Sequence, residues 1–226
     1  MNGPTAIALR WAAVRDRVVE ASVRAGRDPA GVTIVAVSKT HPAEAVRDAA
    51  AAGATDFGEN YAQELASKRA LCGDVRWHYI GRLQRNKAKL VAGQVVLVHA
   101  VESVELAEEL GKRAGGVTQP VLVAVNLGGE ATKGGVTADT AAALARSILA
   151  VPGVRLDGLM TMPPPRDDPE ASRPVFDALR VLRDQLQQEL GAGLPVLSMG
   201  MSGDFEIAIA CGATHVRIGT AIFGTR

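Results

Sequence analysis

Val32-Thr33-Ile34-Val35-Ala36-Val37-Ser38 is an unbroken, mostly apolar and β-branched run, followed at once by Lys39-Thr40-His41 and then by Pro42, where an alanine-rich stretch over 42–52 begins. A run of this length and composition makes a fully buried strand and is too short for a helix. The stretch from Pro42 has helical composition and ends at Gly53. The local reading is strand, short loop, helix, with Lys39 at the C-terminal mouth of the strand.

Outward from this unit the pattern repeats. Candidate strands cover 32–38, 54–58, 76–80, 95–100, 120–126, 155–160, 195–199 and 214–218. Candidate helices cover 42–52, 61–71, 84–91, 104–114, 138–150, 170–190 and 205–210, and a further helix over 6–25 precedes the first strand. Glycines 26, 53, 73, 93, 115, 153, 191 and 212 follow the helices, where a left-handed capping residue is wanted. Alternating βα units build a parallel sheet. Eight units with no G-x-G-x-x-G after the first strand favour closure, so the fold expected is an α/β, single (β/α)8 TIM barrel over residues 1–226 with an extra N-terminal helix.

Composition agrees with one large core, since 47% of the 226 residues are hydrophobic. Lysine and arginine number 25 against 24 acidic residues, a net charge of +1, so no global field draws the chain to nucleic acid or to a membrane surface. Arg10, Arg15, Asp16, Arg17 and Glu20 among alanines and valines read as an amphipathic helix, not a signal peptide, and no apolar run reaches membrane-spanning length. Cys72 and Cys211 form no motif pair and read as inert core thiols of a reducing compartment. The expectation is a cytoplasmic protein whose partner is a small molecule.

Barrels assemble their sites from the loops at strand C-termini. Those positions hold Lys39 after the first strand, Glu59-Asn60 after the second, Gly81 after the third, Met160-Thr161-Met162 after the sixth, Gly200-Met201-Ser202-Gly203-Asp204 after the seventh and Gly219-Thr220 after the eighth. A lysine amine desolvated at such a mouth forms Schiff bases with aldehydes. Ser202 and Gly219-Thr220 each precede a helical segment and offer hydroxyls and free N–H groups for a phosphate, although Ser202 would serve equally as a simple helix cap. Alternation puts Arg217 on the strand face opposite Val216 and Ile218, inside the barrel, where it needs an acceptor. That acceptor is either a strand-end acid such as Glu59 or a ligand atom. Together these positions suit an aldehyde with a phosphate tail.

Other constellations are weaker. Gly200-Met201-Ser202-Gly203-Asp204 has Asp204 where a nucleophile elbow needs glycine, and only His215 follows it as a base. His41, His78, His99 and His215 lack metal-ligand spacing and read as polar strand-end residues. Asp56, Glu59 and Asp204 are candidates for a carboxylate pair whose separation the sequence leaves open. The proline-rich 162–169 reads as a stiff loop after the sixth strand.

Longer matches run through the whole chain in order: Ala36-Val37-Ser38-Lys39-Thr40, Phe57-Gly58-Glu59-Asn60-Tyr61, Trp77-His78-Tyr79-Ile80-Gly81 with Leu83-Gln84 and Asn86-Lys87, Gly158-Leu159-Met160, Leu197-Ser198-Met199-Gly200-Met201-Ser202, and Val216-Arg217-Ile218-Gly219-Thr220-Ala221-Ile222-Phe223-Gly224. In these stretches the chain closely resembles the pyridoxal phosphate homeostasis family, of the YggS/PROSC type. The resemblance implies a barrel like the N-terminal domain of alanine racemase and the fold-type III proteins that use pyridoxal 5′-phosphate (PLP). By the same resemblance, Lys39 matches the Schiff-base lysine and Arg217 the group facing the pyridine nitrogen. Ser202, Gly219 and Thr220 match the phosphate contacts, Asn60 a position near the cofactor and Met160 one beside its ring. Arg82 and Arg85 depart from the proline and serine frequent in the family, and 128–133 is a loose version of its loop after the fifth strand.

An arginine at the pyridine nitrogen leaves the ring unprotonated and a poor acceptor of carbanion charge, which disfavours broad amino-acid chemistry. Racemisation needs a second base opposite Lys39, and only His78 or Tyr61 offers one. The function expected is a non-catalytic carrier or buffer of PLP, acting in vitamin B6 homeostasis and amino-acid balance, with apo forms of PLP-dependent enzymes as recipients. The alternatives are a low-activity, PLP-dependent amino-acid racemase and a PLP-free isomerase of sugar phosphates. Racemase relatives build their dimers with an extra domain, so a monomer is expected here.

Overall fold

The computed structural model describes residues 5–128, 134–164 and 166–225. Residues 129–133 of the loose loop and Pro165 of the proline-rich stretch lie outside them. Eight parallel strands close into a barrel in sequence order, with β1 pairing both β2 and β8. The strands are β1 (Thr33–Val37), β2 (Asp56–Glu59), β3 (Arg76–Tyr79), β4 (Leu97–Val101), β5 (Gln119–Ala124), β6 (Val154–Met160), β7 (Val196–Ser198) and β8 (His215–Ile218). The closed barrel is the architecture the sequence pattern predicts. β2 extends further towards the mouth than expected because Glu59 continues the ladder opposite Tyr79.

The helices are α1 (Ala6–Arg24), α2 (Ala43–Ala51), α3 (Ala62–Arg69), α4 (Val104–Arg113), α5 (Ala138–Leu149), α6 (Arg173–Leu190), α7 (Phe205–Ala210) and α8 (Thr220–Phe223). All eight glycines expected to end helices have positive φ. After β3 the expected α-helix is a short 3-10 helix, Arg85–Leu90, because only Ala88 of its residues is buried and there is no apolar stripe to dock a full helix. α1 buries Trp11, Val14, Val18 and Ala21 on one face and packs across α2, α7 and α8. Among the described residues no helix is long and apolar enough to cross a membrane.

Two cores follow from strand alternation. The larger lies between helices and barrel and holds Ala36, Phe57, Trp77, Val98, Val216 and Ile218. A small apolar cluster of Leu97, Ala100, Leu122, Ala124 and Met160 is separate from it. Polar groups share the barrel interior, where His78 and His99 from β3 and β4 meet His215 from β8, with ring centroids 5.1–6.1 Å apart. Such groups meet only inside a closed sheet. Cys72 and Cys211 are free and buried, and burial pushes the Cys211 thiol up to about 11, as expected of inert thiols.

Candidate functional site at the barrel mouth

A cavity of about 570 Å³ opens among the strand C-termini. Lys39, Asn60, Met160, Ser202, Arg217, Gly219 and Thr220 all line it, so the closed sheet brings the seven residues read from the sequence to one place. Lys39 stands where β1 gives way to its loop, and among the described residues no acid or acceptor engages its amine. Gly81 lies against the main chain of Asn60, where a Cβ would fall 2.3 Å from the Asn60 carbonyl oxygen. Tyr79 donates its hydroxyl to that same oxygen at 2.9 Å, so β3 fixes the Asn60 backbone. The Asn60 Oδ1 is buried without a partner.

Arg217 reaches the cavity from β8 and is 6% exposed. It donates from Nη1 to Ser198 Oγ at 2.6 Å and from Nη2 to the Thr161 carbonyl at 2.9 Å. Burial pushes its guanidinium down to about 10, with Asp204 pulling the other way, so the group is a cation at neutral pH. The acid partner at Glu59 is not formed: Glu59 accepts from Lys68 and Ser38 instead. Ser202 does not cap α7, whose N-cap is Asp204. Its hydroxyl instead accepts from the Ala221 N–H at 3.4 Å, which joins the seventh loop to the first turn of α8 beside Gly219 and Thr220.

The three acids do not form a carboxylate pair. Asp204 accepts from the Met201 N–H and the Ser172 hydroxyl. Asp56 starts β2 at the opposite end of the barrel, bound by Arg76, His78 and Thr55. Neither His78 nor Tyr61 lines the cavity. Arg82 does, on its rim, 3.4 Å from Glu102, so this departure from the family pattern reaches the site. His41 also lines the wall and stacks on Phe223 at 5.2 Å.

Sequence reasoning missed Lys68, which is 5% exposed. Its ammonium donates to Glu59 Oε1 at 2.6 Å, to the Ser38 carbonyl at 2.6 Å and to Glu64 Oε1 at 2.7 Å, which uses all three donors. Burial pushes the Glu59 carboxyl upward against the pull of Lys68 and Ser38. Glu64 Oε1 also accepts the Thr40 N–H at 2.5 Å, and Thr40 holds φ at 67°. Both neighbours of Lys39 are thus gripped from α3. The signal was present: Ala62, Leu65 and Lys68 share one helix face, and a lysine continuing an apolar stripe calls for a buried acid.

Burial drives the Asp56 carboxyl up, but hydrogen bonds from His78, Thr55 and Arg76 outweigh it and hold the group at about 2. A folded pKa below the unfolded value of 3.8 gives stability that is present above pH 3.8 and lost as pH falls through 2. Asp56→Asn is therefore expected to remove about 2 kcal/mol at neutral pH and to flatten the acid limb of stability between about pH 4 and pH 2. Urea unfolding across that range checks this, and a mutant curve parallel to wild type contradicts it.

A closed α/β barrel with a lysine, a buried arginine and a hydroxyl-lined turn at one mouth defines a class, and residues 10–226 match the family described as alanine racemase, N-terminal domain. The pyridoxal phosphate homeostasis protein of Aquifex aeolicus is 47% identical over 221 residues, 96% of this chain and 97% of that one. Its namesake in Pseudomonas aeruginosa is 46% identical over 224 residues, 97% and 96% of the two chains. A structure of PipY of Synechococcus elongatus with PLP bound superposes with a TM-score of 0.85 at 35% identity, covering 96% of this chain and all 100% of the other. The chain belongs to the alanine racemase N-terminal domain family and, within it, to the pyridoxal phosphate homeostasis proteins.

Proposed function

We propose that this protein holds PLP as a Schiff base on Lys39 and acts in vitamin B6 homeostasis as a carrier or buffer, as a single domain over residues 1–226. The observation that carries the reading is the composition of one cavity: a lysine amine unengaged among the described residues, a buried arginine, and a turn that offers hydroxyls and N–H groups. The residues fit the group. Ser202, Gly219 and Thr220 would hold the phosphate, Arg217 would face the ring nitrogen as a donor, Met160 would pack beside the ring, and the unpartnered Asn60 Oδ1 is a polar end that a bound ligand satisfies. When bound, PLP supplies an electrophilic carbonyl and an electron sink.

The carrier reading is supported by what surrounds the lysine. His78 is held inside the barrel between Asp56 and His99, and Tyr61 is exposed at the start of α3, so neither stands across the cavity from Lys39 as a second base. Purified protein assayed with D- and L-amino acids is expected to show no turnover at an ordinary enzymatic rate. Turnover that disappears in Lys39→Ala would establish a racemase instead. Arg217→Gln removes a charged donor worth about 1.5–3 kcal/mol and is expected to weaken PLP retention at least about tenfold. Equilibrium titration by absorbance reads this, and unchanged affinity would confine Arg217 to a structural role.

A further inference from the structure

Beneath the cavity, five polar side chains from five strands form one continuous hydrogen-bonded line. Arg217 Nη1 on β8 lies 2.6 Å from Ser198 Oγ on β7, which lies 2.8 Å from His99 Nδ1 on β4. His99 Nε2 lies 2.9 Å from His78 Nδ1 on β3, and His78 Nε2 lies 2.8 Å from Asp56 Oδ1 on β2. None of the five is more than 6% exposed. The line starts at the cavity and ends at the opposite rim of the barrel, where the Arg76 guanidinium, its side chain 59% exposed, grips Asp56.

The line has one direction. A guanidinium only donates and a carboxylate only accepts, so Ser198 Oγ accepts from Arg217 and His78 Nε2 donates to Asp56. The assignment in which every group between them takes one proton and gives one has Ser198 donating to His99 Nδ1. Burial, with His78, His215 and Arg217 nearby, holds His99 well below the ordinary histidine range, so the ring is neutral and its single proton sits on Nε2. That proton goes to His78 Nδ1, which leaves the His78 Nε2–H for the Asp56 carboxylate. Every hop has one donor and one acceptor, an arrangement in which neighbouring bonds polarise each other. Among the described residues Arg217 meets only neutral acceptors directly, Ser198 and the Thr161 carbonyl. The line connects it to an anion.

We infer that Ser198, His99, His78 and Asp56 are positioning residues that act through Arg217: they aim its guanidinium into the cavity and couple its charge to Asp56 at the far end of the barrel. This rests on the reading that PLP binds with its ring nitrogen at Arg217, and it deepens that reading by making the electronic state of the bound ring depend on a residue the ring never touches. An apolar interior would have filled the same space, as Leu97, Leu122 and Met160 do elsewhere within the sheet, without the desolvation cost of a buried polar line. Four further groups face the line: Asp204 attracts Arg217 from the seventh loop, His215 packs against both histidines, Arg76 partly offsets Asp56, and Lys39 lines the same cavity from the end of the neighbouring strand β1.

Two measurements test the relay. In the ligand-free protein, nitrogen-15 spectra of the imidazoles are expected to show His78 and His99 both as Nε2–H tautomers at neutral pH. An Nδ1–H His99 or a doubly protonated His78 overturns the direction of the line. In PLP-loaded protein, the pH midpoint of the absorbance change of the bound chromophore is read in a double-mutant cycle. Asp56→Asn removes a negative charge, which disfavours protonation at the imine, and is expected to move the midpoint down by on the order of half a pH unit. In a Ser198→Ala background the same substitution is expected to move it no further, and Ser198→Thr, which keeps the hydroxyl, is expected to restore the wild-type profile. An unmoved midpoint in Asp56→Asn, additive shifts in the cycle, or a Ser198→Ala profile identical to wild type overturns the proposal. Should Asp56→Asn fail to fold, the Ser198→Ala and Ser198→Thr pair decides alone. Wild-type protein that takes up no PLP is a failure of the earlier reading, and the tautomers of the ligand-free protein still decide whether the line exists.

Discussion

Lys39→Ala is expected to convert a protein that keeps its PLP through desalting into one that loses it. The amine is the only group in the proposed arrangement that makes a covalent bond, and it has no competing partner among the described residues. What remains without it is noncovalent: the Ser202, Gly219 and Thr220 turn for the phosphate and Arg217 for the ring. These contacts still allow reversible binding, so the mutant is expected to change the PLP spectrum at high concentration and to come off a desalting column colourless. The substitution removes a partly exposed side chain and is not expected to lower the unfolding midpoint. A mutant that emerges yellow would move the covalent bond elsewhere.

Lys68→Met is expected to be the most damaging single change to stability. It leaves Glu59, with 0% exposure, as an unpaired buried carboxylate whose Oε2 already lacks a partner. Breaking a buried ion pair from one side costs about 3–5 kcal/mol. The second consequence falls on the site. The Ser38 carbonyl loses its clamp, Glu64 loses the cation that holds it against the Thr40 N–H, and Thr40 sits at a φ of 67° that a residue with a Cβ keeps only under constraint. Lys39, between them, is then expected to capture PLP more slowly even in the fraction that folds. Denaturant unfolding reads the first effect and stopped-flow absorbance the second. A stable variant with wild-type capture kinetics contradicts the clamp.

The frame of the molecule was legible because each strand is a short apolar run closed by a turn residue, and Lys39, Ser202, Gly219 and Thr220 follow those runs at once. Arg217 was legible from alternation alone: it stands opposite Val216 and Ile218, which lie in the outer core. Its partners were not. Ser198 and the Thr161 carbonyl reach it only because β7 lies beside β8 and β6 beside β7 in the closed sheet, and the acid alternative, Glu59, is taken by Lys68 from α3. The histidines show the same limit from the other side. His78, His99 and His215 stand on three different strands, and nothing local says that β3, β4 and β8 meet across one interior. Contacts within a unit can be read from periodicity; contacts across the barrel depend on its closure and stagger.

Borohydride reduction of PLP-loaded wild-type protein, followed by peptide mass spectrometry, tests the central claim most directly. The account predicts one pyridoxyl adduct, on the peptide containing Lys39. An adduct confined to any other lysine, or protein that carries none after reduction, contradicts it.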